Sequence, residues 1–155
     1  MATVQMDREC EMPELILTYR GVVYPWECDH MGHMNVMWYV GKFDEATWQL
    51  LGALGLTPAY LRAQNRAAVA ADQHITYKRE LVAGDTVSVW SGILEMRSKS
   101  IRFYHQMRND VTGQVAAATI LIGVHLDAAT RKPCPFPDEI AERGRQMTLD
   151  HEPEM

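Results

Sequence analysis

The amino-acid sequence predicts an α+β domain in which one long helix lies against an antiparallel β-sheet, and three observations predict it. One stretch, residues 36–54, sustains a helical period, and five shorter runs are rich in β-formers and separated by turn chemistry. The third is length, since 155 residues can close a single hydrophobic core without disulfide or metal staples. The order strand, long helix, then four strands fits a helix layered on a sheet rather than alternating βα units.

Residues 1–13 are mixed and acidic with no period, and read as an N-terminal arm to a single domain over residues 14–147. Residues 15–24 are rich in β-formers and stop at Pro25, which makes the first strand. In the helix, Val36, Val40, Phe43, Thr47, Leu50 and Leu54 recur at gaps of four and three. They are expected to face the core, with Lys42, Asp44, Glu45 and Gln49 on the surface. Asn35 can cap its start, and Gly55 can take the left-handed conformation that ends it. At 1.5 Å per residue the helix spans roughly 28 Å, enough for a sheet to wrap around it.

Residues 59–63 add a helical turn to the connector, and residues 67–79 then pass into alternation, Ile75 and Tyr77 against Thr76 and Lys78, as a second strand. Ala83, Gly84 and Asp85 compose a tight turn before the strand over 86–94. Residues 100–108 alternate cleanly until Asn109, Asp110 and Gly113 break them. The last strand, 114–126, is apolar on both faces, which calls for cover on both. Short turns between these strands predict a meander. Pro133, Pro135 and Pro137 end the sheet, residues 138–147 form a short helix, and 148–155 read as a flexible tail.

The formal net charge of −5 argues against a general nucleic-acid surface, although a local basic pocket for phosphates remains compatible with it. Cys10, Cys28 and Cys134 are odd in number and scattered, and no secretory segment precedes them, so free thiols in a cytoplasmic setting are expected. The longest apolar run, near residues 115–124, is too short to span a bilayer.

Asp29, His30, Gly32, His33 and Asn35 fall in one turn-forming segment just before a helix start, where unpaired N–H groups and the dipole favour developing negative charge. A carboxylate beside an oxyanion site suits acyl transfer: Asp29 attacks or deprotonates a water while helix-start amides receive the carbonyl oxygen. The same residue types make a turn and a cap with no chemistry at all, because Asx residues favour helix starts for structural reasons alone. His30 and His33 are too few to predict a metal centre. Arg97, Lys99 and Arg102 cluster at a strand boundary, either as a solvated turn or as a grip for phosphates. Trp26, Met34 and Tyr39, with Met31, Met37 and Trp38, can line an adaptable acyl pocket or simply fill the core.

The run VVYPWECDHMGHMNVMWYVGKFDEA resembles the signature of hotdog-fold acyl-CoA thioesterases of the 4-hydroxybenzoyl-CoA thioesterase type. The matching pattern is Asp29, Gly32-His33, Asn35, Tyr39 and Phe43-Asp44-Glu45-Ala46, and weaker similarity extends over residues 15–140. Two positions depart from it: Glu27 stands where many relatives have Asp, and Val36 where one bacterial subgroup carries His. The resemblance implies a hotdog fold, an antiparallel sheet wrapped around one central helix. It further implies thioester hydrolysis, with Asp29 as nucleophile or general base and the Asn35 and Val36 amides as oxyanion donors. His33 becomes a positioning or proton-sharing candidate, and coenzyme A phosphates fall to Arg97, Lys99 and Ser100. No cofactor is implied, because coenzyme A is part of the substrate. The assembly implied is a homodimer or homotetramer in which the Asp29 turn of one subunit faces the basic stretch of another. Two other functions stand beside hydrolysis: a hotdog dehydratase or hydratase on acyl thioesters, and a non-catalytic acyl-thioester binding domain.

Overall fold

The computed structural model describes residues 13–155, so Cys10 and all but the last residue of the expected arm lie outside the described residues. In chain order the elements are β1 (Ile16–Val22), a 3-10 turn (Pro25–Glu27), α1 (Val36–Leu54), α2 (Pro58–Ala63), β2 (Arg66–Tyr77), β3 (Thr86–Met96), β4 (Ser100–Asn109), β5 (Val115–Asp127) and α3 (Asp138–Gln146). The five strands form one antiparallel sheet with the long helix α1 packed on it, as the predicted class and the hotdog resemblance require. Helix α1 begins and ends where its signals fall. Asn35 Oδ1 accepts the Met37 N–H, and Gly55 takes φ +97°.

Strand order differs from a simple meander. The sheet runs β1-β3-β4-β5-β2, so only β3 to β5 meander, while β2 crosses to the far edge and pairs with β5. The Lys78 and Arg79 amides both donate to the Ala116 carbonyl (2.8 and 3.0 Å), which keeps the end of β2 on β5. Leu81 is then fully buried in the core, and this drives the connection across to β3.

The buried arc of α1 is also not the expected one. Its first half buries Tyr39, Lys42, Phe43 and Ala46, while Val36 and Val40 are 55% and 41% exposed. The arc is turned by roughly 60° from the one read off the sequence, at about 100° per residue. Lys42, expected on the surface, goes inside because Glu27 awaits it there, with Nζ to Oε1 at 3.0 Å. The turn leaves Val36, Met37, Val40 and Trp48 as an exposed apolar stripe.

Two apolar clusters flank a polar chain in the core. His105 Nε2 meets Thr47 Oγ1 at 2.9 Å, His105 Nδ1 meets Ser91 Oγ at 2.5 Å, and Ser91 meets Thr18 Oγ1 at 2.6 Å. These bonds tie α1 to β4, β3 and β1. Residues 148–155, expected as a flexible tail, lie against the sheet: the Leu149 amide donates to the Ile93 carbonyl, and Arg102 makes a bidentate pair with Glu152.

Candidate active site

The site loop is a compact reversal between the 3-10 turn and α1. Cys28 and Met34 form an antiparallel bridge, the Asp29 amide donates to the His33 carbonyl (3.1 Å), and the Gly32 amide donates to the Asp29 carbonyl (3.0 Å). Gly32 sits at φ +86°, which favours glycine, and no side chain would meet a neighbour there, so backbone conformation is the reason for this residue. Met34 is almost fully buried, and its amide donates to the Leu81 carbonyl at 2.7 Å. The loop is thereby plugged into the core at one residue and leaves Asp29 half-buried beside the helix start.

Each oxygen of Asp29 has one donor. Oδ2 accepts from Asn35 Nδ2 at 2.8 Å, and Oδ1 accepts from the Met31 amide at 2.9 Å. The Asn35 carboxamide first, and the Met31 amide second, hold the carboxyl below the usual carboxylate range, so Asp29 is ionised near neutral pH. Asn35 uses both ends of its side chain, capping α1 through Oδ1 and orienting Asp29 through Nδ2.

Its backbone amide is not available to a substrate oxygen in this conformation. The Asn35 N–H donates to the Glu27 carbonyl at 2.9 Å. Of the two expected oxyanion donors, only Val36 N–H has no acceptor among the described residues. The site therefore juxtaposes an ionised carboxylate and one open helix-start N–H, a pair able to attack and to polarise a carbonyl.

A groove of about 220 Å³ opens at Val36 and is lined by His33, Met34, Val36, Tyr39, Tyr77, Lys78, Arg79 and Glu80; Asp29, bonded to Asn35 next to Val36, is outside the lining. Four predicted residues thus meet on one groove: His33, Val36, Met34 and Tyr39. His33 Nε2 lies 3.5 Å from Glu80 Oε1. Tyr39 donates its hydroxyl to the Arg79 carbonyl (3.3 Å), and burial pushes its pKa up to about 12, so it serves as a neutral wall. Trp26 is not in the groove lining. It stands 68% exposed, stacked on Tyr24 with centroids 4.4 Å apart.

The basic stretch is elsewhere. The chain that leads into the Asp29 loop leaves β1 beside the start of β3, where the Val23 amide donates to the Asp85 carbonyl, whereas Arg97, Lys99 and Ser100 lie beyond or across from the other end of β3. Ten steps of about 3.3 Å put the two ends of β3 roughly 33 Å apart. One chain therefore does not bring Asp29 and the basic stretch together. Arg97 is also paired, bidentate, with Glu95 at 2.8 Å for both bonds, and Arg102 with Glu152; Lys99 has no carboxylate partner among the described residues.

Sequence reasoning missed the pairing of Glu27 and Lys42. A signal was present: Tyr39, Phe43, Ala46, Leu50 and Leu54 also keep gaps of four and three, and on that register Lys42 falls inside. Among the described residues no three His, Cys, Asp or Glu side chains converge as metal ligands would, and Cys28 and Cys134 are free thiols. No helix among them is long and apolar enough to cross a membrane.

The chain is similar to known proteins in sequence and in fold. Betainyl-CoA thioesterase of Pseudomonas aeruginosa is 24% identical over 140 residues, covering 90% of this chain and 88% of its own length. The long-chain acyl-CoA thioesterase FadM of Escherichia coli is 26% identical over 126 residues, covering 79% of this chain and 92% of its own. A Staphylococcus aureus protein solved in complex with CoA, SAV2348, superposes with a TM-score of 0.83 at 19% identity, covering 92% of each chain, which speaks for the fold. Residues 23–144 match the thioesterase-like superfamily, a span that holds the Asp29 loop, α1 and the sheet from β2 to β5, and the chain belongs to that family.

Proposed function

We propose that this protein is an acyl-CoA thioesterase, hydrolysing an acyl-CoA thioester to a free acid and coenzyme A. One observation carries the reading: an ionised Asp29 is held by Asn35, the residue before the open Val36 N–H, at a helix start where Val36 lines a groove. With the thioester carbonyl oxygen on Val36 N–H, Asp29 either attacks the carbonyl carbon, expelling the coenzyme A thiolate and leaving an anhydride that water then hydrolyses to the acid, or removes a proton from a water that attacks the carbonyl carbon directly and displaces the thiolate. Asn35 orients the carboxylate, and His33 stands at the groove wall as a positioning or proton-sharing group. The activities for which the P. aeruginosa and E. coli relatives are named support the same reaction class. The spacing Asp29-x2-Gly-His-x-Asn supports placement with the 4-hydroxybenzoyl-CoA thioesterase type. Coenzyme A belongs to the substrate, so the chemistry calls for no cofactor, and the free thiols of Cys28 and Cys134 suit a cytoplasmic setting.

The complete site is read as shared between two copies of the chain, in a homodimer or a homotetramer built from it. The distance along β3 separates Asp29 from Arg97, Lys99 and Ser100 within one chain. A second copy can bring another basic stretch to the loop for the coenzyme A phosphates, with no nucleic acid or membrane involved. The edge strand β2 is exposed over residues 70–74, and Trp48 of the apolar stripe lines a cavity together with Ala70. Such an edge and stripe need cover. Release of free thiol from a panel of acyl-CoAs of graded length, charge and aromaticity tests the activity. Hydration of enoyl-CoAs without thiol release would mark a hydratase, and binding without turnover a binding domain.

A further inference from the structure

We infer that Glu27 and Lys42 are positioning residues for the active site, a buried ionic clamp that sets the start of α1 against the Asp29 loop. The inference rests on the thioesterase reading for its kinetic consequence, and on geometry alone for the clamp itself. Both side chains are more than nine-tenths buried, at 8% and 5% exposure, and lie 3.0 Å apart. Lys42 Nζ also donates to Tyr19 Oη at 3.3 Å and sits over that ring, 5.5 Å from its centroid. The second oxygen of Glu27 accepts the Tyr24 amide at 3.0 Å, so the carboxylate is held from both sides.

The main chain of the same Glu27 reaches the chemistry. Its carbonyl accepts the Asn35 N–H at 2.9 Å, and Asn35 in turn holds Asp29 Oδ2 and caps the helix whose first amide is Val36. Lys42 lies on the second turn of α1, so the ion pair joins the helix body to the loop that precedes it. If Glu27 shifts, the Asn35 amide loses its acceptor, and the angle between the Asp29 carboxylate and the Val36 N–H shifts with it. Burying two charges is costly unless they fix something, and an apolar pair would fill this site with less desolvation. What this pair fixes is the relation between carboxylate and oxyanion donor, on which attack geometry depends.

The test is the double variant Glu27→Gln, Lys42→Met, which removes both charges together and leaves neither one orphaned in the core. Amide hydrogen exchange and steady-state kinetics are read side by side. The expected result is that exchange at the Asn35 amide quickens by about tenfold or more while the β3 to β5 amides keep their protection. With acyl-CoA, kcat falls by about tenfold or more and KM stays within about twofold, the split expected of misaligned reacting groups rather than lost binding. Glu27→Gln alone, which keeps the size and the Tyr24 contact, is expected to change both readouts in the same direction and serves if the double variant does not fold. Wild-type exchange at Asn35 in either folded variant overturns the clamp, and faster exchange with unchanged kcat overturns its catalytic role. If the wild-type protein releases no thiol from any acyl-CoA, the thioesterase reading fails, while the Asn35 exchange rate still decides the clamp.

Discussion

Acidification should weaken the fold through one buried residue, His105. Its ring is fully buried between Phe43 and Phe103, with both nitrogens hydrogen-bonded. Both partners, Thr47 at Nε2 and Ser91 at Nδ1, are hydroxyls, and neither nitrogen faces a carboxylate that would hold a second proton on the ring. The pocket thus holds a neutral imidazole, and burial pushes its pKa down to about 3 from the ordinary 6.5. The folded value is the lower one, so below pH 6.5 the unfolded chain binds a proton that the folded chain refuses. The stabilisation is complete above pH 6.5 and drains away as pH falls towards about 3. At about 1.4 kcal/mol per pH unit, the 1.5 units from 6.5 to 5 remove roughly 2 kcal/mol, or roughly 4–8 °C in Tm for a chain of this size. Urea unfolding at pH 7.5 and pH 5, in wild type and His105→Gln, measures it. The variant is less stable at both pH values, but its loss between them should be smaller by roughly 2 kcal/mol. Equal pH dependence in the two proteins would refute the reasoning.

Val36→Pro deletes the open Val36 amide, at a position where proline fits: Val36 is the first helical residue, and Asn35 has φ −69° and ψ 147°, as a residue before proline requires. It should leave helix content unchanged and lower kcat roughly 100-fold or more, as loss of an oxyanion donor does; circular dichroism and thiol-release kinetics check both halves. The double change Arg97→Ala, Lys99→Ala should raise KM for acyl-CoA and spare kcat, with no effect on a truncated thioester lacking the nucleotide. An equal loss on the truncated substrate would make the stretch structural. Light scattering should give a multiple of the 17.6 kDa chain. Mixing Asp29→Asn subunits with Arg97→Ala, Lys99→Ala subunits should restore some activity through mixed dimers, and a fully active monomer at micromolar concentration contradicts the shared site.

What the sequence made legible was local. Helix α1 followed from a 3.6-residue period with Asn35 and Gly55 at its ends, because caps and periodicity act within a few residues. The strands of β3 to β5 followed in the same way, with ends displaced by two residues or fewer. Their order did not, since β2 pairs with β5 rather than β3 through contacts distant in sequence, and a strand's own composition does not say which neighbour it takes. Lys42 was misplaced because a periodicity argument assigns charge to the surface, and its burial depends on Glu27, fifteen positions away. Asp29 and Asn35 could be picked out as a turn and a cap. That the Asn35 side chain reaches back to Asp29, while its amide is taken by Glu27, belongs to the folded loop alone.

The most direct test of the account is thiol release by the wild type and Asp29→Asn on the best acyl-CoA of a panel. The Asn side chain keeps size and polarity but can neither attack nor take a proton as a carboxylate does. The account predicts wild-type hydrolysis of at least one acyl-CoA and a fall of about 100-fold or more in kcat for a variant that folds normally. Turnover within a few fold of wild type in Asp29→Asn would contradict it.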